Sequence, residues 1–303
     1  MKKRRHIFCN SIENLGRCIV SAKNGKARVA CVIGDPIAHS LSPYIHEYWL
    51  QKYDINGAYV PFRVTADAFS STLDSLFSCG CVGMNITLPH KQQAYAYADH
   101  VDETAIRLGA VNTLVLRDGA VHGFNSDALG FARLWQESFA QSRATNPQRV
   151  VLLGAGGAAP AIIAALYDNG CREVIIANRT LERAHNVVAL MQTSCPECHF
   201  SVCHLDDVVG IIPSVDALVN SIAIGMLDEH YFVPWFDNAP IHMCVVDVSY
   251  SALGTPLTRF AIERGFNAYD GLPMLVWQAT VGFELWFGVQ PEIDTALYGY
   301  LRT

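Results

Sequence analysis

The sequence predicts an α/β enzyme with a nucleotide-binding half, on three observations. A β-branched run, Arg149–Leu153, enters a glycine-rich turn and an apolar helical stretch before a second strand-like run, Glu173–Ala177. That β-α-β context is what a glycine turn needs before it counts as a dinucleotide site. A short apolar run at 81–84 leads into Asn85-Ile86-Thr87-Leu88-Pro89-His90-Lys91, which sets a lysine at a strand end, where open α/β sheets hold their ligands. The 303 residues suit two domains, although length alone also permits one large one.

Composition narrows the class. Hydrophobic residues make up 51% of the chain and charged residues 17%, the balance of a soluble enzyme with a well-buried core. The net charge is −6 even though Lys2, Lys3, Arg4 and Arg5 open the chain, so the remainder is strongly acidic and a nucleic-acid partner is not expected. No apolar run reaches the roughly 18 residues that a bilayer span requires, so no membrane partner is expected either. The basic start resembles the first part of a signal peptide, but Asn10, Ser11, Glu13, Asn14 and Arg17 interrupt the run where its apolar region would lie. Residues 1–27 therefore read as an extension on a cytoplasmic protein. Of the ten cysteines, Cys31, Cys79, Cys81 and Cys244 fall inside apolar runs and read as small core hydrophobes, which is the usage of a reduced compartment. Cys195, Cys198 and Cys203, with His199 and His204, have a spacing compatible with zinc, but no second C-x-x-C accompanies them. They read as reduced surface thiols, with no metal expected.

Taken in order, residues 28–33 form a strand that ends at Gly34-Asp35-Pro36. Ser42 is a natural cap for a helix through Leu50, with Pro43 in its first turn. Ser40 is not needed for capping and projects from the same turn. A strand at 58–62 precedes a polar-faced helix at 66–78. Pro89, which has no N–H and restricts Leu88, stops the next strand at the Lys91 turn, and residues 92–97 are helical. Alone, such a lysine is an ordinary surface residue. A helix at 102–108 leads to Gly109-Ala110-Val111-Asn112-Thr113, and strands at 113–117 and 121–124 are joined by Asp118-Gly119, a hairpin signal. Asn125-Ser126-Asp127 then opens a helix, where Asp127 by itself reads as a cap or a partner of the helix dipole.

After the polar stretch 141–148 comes the β-α-β unit, with Gly154-Ala155-Gly156-Gly157-Ala158-Ala159 at its turn. Glycines let backbone N–H groups approach a pyrophosphate at the helix N-terminus, and Ala159 stands in for the third glycine. NAD sites carry an acid at the end of the second strand. Here the residues are Asn178-Arg179-Thr180, with Arg183 one turn on, and guanidinium groups pair with a 2′-phosphate. The cofactor predicted is NADP. Further strands lie at 217–219 and 243–248, and a last apolar helix at 274–287 carries one conspicuous polar residue, Gln278, which needs a partner: a ligand or a backbone carbonyl.

In this order, these stretches resemble the shikimate dehydrogenase family, which includes quinate/shikimate dehydrogenases, over about residues 30–290. The resemblance implies two α/β domains with a cleft between them. One is a discontinuous substrate-binding domain, residues 28–128 with 274–303, and the other a doubly wound Rossmann-like NADP-binding domain over 129–273. It assigns Lys91 and Asp127 to catalysis, Ser40 and Ser42 to the substrate carboxylate, and Thr87, Asn112, Tyr250 and Gln278 to the substrate pocket. Gly154, Ala155, Gly156, Gly157, Ala158, Asn178, Arg179, Thr180, Arg183, Val248 and Gly271 fall on the cofactor side. The chain departs from the family with Ser126 and Ala128 in place of the usual Thr and Gly around Asp127, with Ile222 where a threonine is usual, and with Ser251-Ala252 after Tyr250. Ala128 and Ile222 bear on ring substituents, rate and affinity more than on reaction class.

The implied reaction is the reversible NADPH-dependent reduction of 3-dehydroshikimate to shikimate, in aromatic amino acid biosynthesis. Hydride addition leaves an alkoxide, which a neighbouring cation stabilises and can protonate. Lys91 suits both tasks, with Asp127 holding it. Quinate or aminoshikimate dehydrogenation is the alternative within enzymes, and the two serines lean towards shikimate. A ligand-sensing homologue that lost catalysis would be expected to lack Lys91 or Asp127, and both are present. The partners expected are the small-molecule substrate and, at most, a second copy, as a monomer or homodimer.

Overall fold

The computed structural model describes residues 23–140, 147–223 and 232–302. Residues 1–22 of the predicted extension, 141–146 of the polar stretch and 224–231 lie outside the described residues.

The first unit is built around β1, Arg28–Gly34, whose last five residues are buried. It continues through α1 (Ser42–Lys52), β2 (Gly57–Arg63), α2 (Phe69–Ser78), β3 (Cys81–Ile86), α3 (Lys91–Tyr97), β4 (His100–Val101), α4 (Glu103–Leu108), β5 (Thr113–Arg117) and β6 (Ala120–Phe124). The strands form one sheet in the order β2-β1-β3-β5-β6-β4. β1 is parallel to β2 and β3, whereas β5 is antiparallel to β3 and β6. The predicted hairpin turns on Asp118 and Gly119, with φ of 52° and 81°, the left-handed pair whose twist matches the flanking strands. Gly34 ends β1 beside the Lys91 turn, where a Cβ would run into the Thr87 methyl group.

Two helix starts differ from expectation. Leu41, not Ser42, occupies the cap position of α1, with no side-chain cap. Ser42 is the first helical residue, and its N–H donates to the Ser40 hydroxyl at 3.3 Å. α2 begins at Phe69 rather than 66, because Ala68 N–H closes a turn on the Thr65 carbonyl at 3.2 Å.

α5 (Asp127–Ala140) leads into the second unit: β7 (Arg149–Leu153), α6 (Ala159–Asp168), β8 (Glu173–Ala177), α7 (Leu181–Met191), β9 (His199–Cys203), α8 (Val208–Ile211), β10 (Ala217–Asn220), β11 (Cys244–Asp247), α9 (Pro256–Glu263) and β12 (Asn267–Tyr269). All six strands pair in parallel, in the order β12-β11-β10-β7-β8-β9. The chain leaves β7 in one direction and β10 in the other, so the topological switch lies between their C-terminal ends. Both faces of the sheet are covered, which is why the strands read as continuous apolar runs. Val150, Leu152, Val174 and Ile176 pack under α6, and Val151, Leu153, Ile175 and Leu218 pack against Val208, Leu257 and Ala261.

α10 (Leu272–Phe287) returns to the first unit, and α11 (Thr295–Leu301) closes the chain on α1. Val276, Phe283 and Trp286 share a core with Ala30, Val32 and Trp49. Trp286 donates its indole N–H to the Leu114 carbonyl at 2.9 Å, and Gly83 leaves room for that ring. α10 also crosses α5, and the two come close because Gly130 has no Cβ, which would stand 2.6 Å from the Met274 carbonyl. Among the described residues, no helix is long and apolar enough to cross a membrane.

The cysteines differ further: Cys79 is exposed just after α2 rather than part of the core, and the C-x-x-C pair is not on the surface. Cys195 and Cys198 are 0% and 2% exposed and belong to the core beneath α6 and α7, so they are not surface thiols. The chain turns inward after Met191, whose carbonyl accepts from Cys195 N–H at 2.9 Å. Burial pushes the Cys198 thiol up to about 12. No group of three His, Cys, Asp or Glu side chains is gathered for a metal ion among the described residues.

Candidate active site

β3 ends at Ile86, and the turn after it carries Lys91 to the first position of α3. His90 fixes that turn from beneath. Its ring is buried, stacks on Phe69 with centroids 4.9 Å apart, and its Nε2 lies 2.7 Å from the Val64 carbonyl. Lys91 Nζ donates to Asp127 Oδ2 at 2.6 Å, with side-chain exposures of 14% and 5%. Asp127 opens α5, and its other oxygen accepts from Asn112 Nδ2 at 3.0 Å. Its N–H donates to Asn125 Oδ1 at 3.0 Å, and Asn125 Nδ2 is tied to the Ala110 carbonyl. The carboxylate is therefore a first-turn partner of a helix and the counter-ion of a lysine at once. Only the second role lies beyond what its local sequence suggests.

Asn112 is buried and satisfied within the protein. It donates to Ser126 Oγ at 3.1 Å as well as to Asp127, and its Oδ1 accepts from Ser126 N–H at 2.9 Å. Ser126, a departure from the family pattern, thus holds a place in the polar network. Behind it, Thr113, Asn85 and Tyr59 continue the hydrogen bonding towards α1. Sequence points to Asn85 only as a member of the Lys91 turn, and to Thr113 and Tyr59 not as site residues. His46 of α1 stacks on Tyr59 at 3.9 Å and 12°, and burial pushes its pKa down to about 3, so the ring is neutral.

The remaining substrate-side candidates converge from both units. Ser40 is half-buried, and Ser42 is buried near the Tyr59 hydroxyl. Thr87 is half-buried, and its N–H donates to the Ile33 carbonyl at 2.9 Å. Tyr250 comes after β11 of the second sheet yet packs on the core of the first unit. Burial raises its phenol. Gln278 faces α5 at Gly130, half-buried, and its amide makes no hydrogen bond to the described residues. Of the two partners considered for it, the backbone carbonyl is therefore absent among the described residues.

On the other side of the cleft, Gly154 has φ of +96°, and a Cβ there would stand 2.8 Å from Ser221 Oγ. Gly156 has nothing near it, and a Cβ on Gly157 would meet Leu88 at 3.3 Å. The glycine turn therefore approaches the Lys91 turn at Gly157 and is open at Gly156, at the N-terminus of the ten-residue α6. That is a cradle suited to a pyrophosphate. Asn178 bolts the turn to the end of β8: its Oδ1 accepts from Ala155 N–H at 3.3 Å and its Nδ2 donates to the Thr180 carbonyl at 2.8 Å. Arg179, Thr180 and Arg183 are exposed, and neither arginine is ion-paired among the described residues. Val248 and Gly271 are in contact, because a Cβ on Gly271 would fall on the Val248 carbonyl. Ala128 packs half-buried on the second unit's core, and Ile222 packs against the opposite face of its sheet.

Sequence reading missed Asp247. It is 2% exposed and accepts from Asn220 Nδ2 and Ser249 N–H, both at 3.0 Å, beside Ile222. Burial pushes its carboxyl up to about 6. The only signal was an acid at the end of an otherwise apolar strand.

Three family profiles match the chain in order. Residues 32–114 match the family profile described as the shikimate dehydrogenase substrate binding domain, 136–229 that of shikimate / quinate 5-dehydrogenase, and 271–296 that of the shikimate 5'-dehydrogenase C-terminal domain. The shikimate dehydrogenase (NADP(+)) of Rhodospirillum rubrum is 39% identical over 274 residues, covering 90% of this chain and 96% of that protein. The shikimate 5-dehydrogenase of Thermus thermophilus, solved in complex with NADP(H) and shikimate, superposes with a TM-score of 0.76 at 31% identity, covering 91% of this chain and 98% of that one. The quinate dehydrogenase of Corynebacterium glutamicum, solved in complex with NAD, gives a TM-score of 0.79 at 25% identity over 91% and 97% of the two chains.

Proposed function

The chain belongs to the shikimate dehydrogenase family, and from that premise we propose that it catalyses the reversible NADPH-dependent reduction of 3-dehydroshikimate to shikimate, with Lys91 and Asp127 as the reacting pair. The observation that carries this reading is the 2.6 Å Lys91–Asp127 ion pair, with side chains only 14% and 5% exposed.

NADP fits the second unit. The open glycine turn would take its pyrophosphate, and Arg179 and Arg183, free of acidic partners among the described residues, would take its 2′-phosphate. Thr180 would stand beside them, and Val248 and Gly271 would line the nicotinamide end. When bound, the reduced cofactor supplies hydride.

The chain's own residues do the rest. Ser40 and Ser42 anchor the substrate carboxylate as neutral donors, and Thr87 and Gln278 hold ring hydroxyls. A hydroxyl reaching Asn112 would have to displace the Ser126 hydroxyl, since both Asn112 amide hydrogens are engaged. Lys91 Nζ faces the carbonyl oxygen, stabilises the alkoxide charge as it develops and delivers the proton. Asp127 keeps Nζ in place and accepts a substrate hydroxyl. Tyr250 lines the substrate side of the nicotinamide pocket.

The division into a substrate domain (28–128 with 274–303) and a cofactor domain (129–273) is supported by the return of α10 to the core of β1 and α1. The protein is read as cytoplasmic, and as a monomer or homodimer. The test monitors NADPH absorbance with shikimate or quinate, each with NADP or NAD. Fast turnover with shikimate and NADP is expected. Turnover with quinate and NAD alone would overturn the choice of substrate and cofactor, and no turnover with any pair would overturn the enzymatic reading in favour of a ligand sensor.

A further inference from the structure

The polar groups behind the dyad form an unbroken chain, and its polarity can be worked out link by link. The Ser126 backbone N–H can only donate, so the Asn112 atom 2.9 Å from it is the carbonyl oxygen, and the amide NH2 faces Asp127 Oδ1 at 3.0 Å. The Asn112 backbone carbonyl can only accept, so the Asn85 atom 3.2 Å away is nitrogen. That nitrogen also reaches Thr113 Oγ1 at 3.1 Å, so the Thr113 hydroxyl passes its own proton on to Asn112 Oδ1 at 3.0 Å. Asn85 Oδ1 then accepts from the Tyr59 hydroxyl at 2.6 Å. The chain ends at Tyr59, whose ring stacks on His46 of α1.

No link in this chain can be reversed without setting two donors or two acceptors face to face. Tyr59, Asn112 and Thr113 are buried and Asn85 half-buried, so water cannot readily replace a lost partner. Asp127 is consequently held at both oxygens, one by the oriented amide and the other by Lys91.

We propose that Tyr59, Asn85 and Thr113 are positioning residues, which orient the Asn112 amide towards Asp127 through hydrogen bonds of a single direction. The inference rests on the reading of that pair as the reacting one. The three side chains act on the reaction only through Asn112 and Asp127. Two of them come from strands that flank β1, and Thr113 opens the antiparallel strand beside β3, so the chain exists only because of the order β2-β1-β3-β5.

The test compares Thr113→Val, which keeps the shape and loses the hydroxyl, with Thr113→Ser, which keeps the hydroxyl and loses a methyl. With shikimate and NADP, Thr113→Val is expected to lower kcat about tenfold, the size of one buried hydrogen bond, with KM changed less than about twofold. Thr113→Ser is expected within about threefold of the parent. A role in packing alone predicts the opposite order. The inference is overturned if the two variants fall together, if serine falls further than valine, or if neither falls. Should Thr113→Val not fold, Tyr59→Phe carries the same expectation, and an unchanged kcat there overturns it. If the parent protein turns over no substrate, the proposed function fails first. A crystal structure of Thr113→Val then decides the inference without any assay. An Asn112 amide turned or shifted off Asp127 supports it, and an unchanged contact overturns it.

Discussion

Removing Lys91 should do two separable things. Asp127 is 5% exposed, and in Lys91→Ala it would keep only Asn112 Nδ2 as a side-chain donor and lose its counter-ion. Breaking a buried pair from one side costs about 3–5 kcal/mol. Lys91 is 14% exposed, so water recovers part of that, and about 2 kcal/mol is the expected loss of stability. The double variant Lys91→Ala/Asp127→Ala removes the stranded charge as well, so it should be less destabilised than the sum of the single variants, by about 1–2 kcal/mol in a denaturation cycle. Turnover behaves differently. Lys91→Ala removes both the cation and the proton donor, and kcat should fall about a thousandfold or more. The double variant should not recover it. Urea denaturation and NADPH-linked turnover of the four proteins measure both effects. Lys91→Ala turning over within tenfold of the parent would refute the assignment, and strictly additive stabilities would refute the account of a coupled, half-enclosed pair.

Three further outcomes are expected. Arg179→Ala should raise the KM for NADP about 10- to 100-fold, the worth of one or two charge-assisted hydrogen bonds, and leave the KM for NAD nearly unchanged; equal effects on both cofactors would remove Arg179 from the 2′-phosphate. Asp247 gives a pH signature. Its folded pKa is raised from 3.8 to about 6, so between those values the folded state binds more protons than the unfolded state, and stability is lost as pH rises through that window. Asp247→Asn should therefore gain on the parent by about 3 kcal/mol from the bottom to the top of the window and hold that gain above it, which denaturation at several pH values would show. Thiol labelling of the native protein followed by peptide mapping should mark exposed Cys79 early and Cys195 and Cys198 only after unfolding; equal rates would contradict their place in the core.

The legible part of the protein was local. Pro89 after an apolar run, Asp118-Gly119 between strands and the glycines after Arg149–Leu153 each announce a backbone event within a few residues, and each lies where that chemistry predicts. Ser42 was misread as a cap because a local rule was satisfied twice in one turn, and the backbone gave that turn's hydroxyl acceptor to Ser40 instead. The spacing of Cys195 and Cys198 suggested surface thiols, since a C-x-x-C says nothing about which way the turn folds; packing against the core under α6 turned both inward.

By itself, the sequence determined the α/β class, the dinucleotide turn and the absence of an acid at the end of β8, because each is written in a stretch of contiguous chain. Only the tertiary structure decided what joins them. Tyr59 meets Asn85 across 26 positions, Asn85 meets Thr113 across 28, and Lys91 meets Asp127 across 36. Such pairs have no periodicity and no local propensity. They exist because sheet order brings particular strand ends together, and because a buried donor must find an acceptor there.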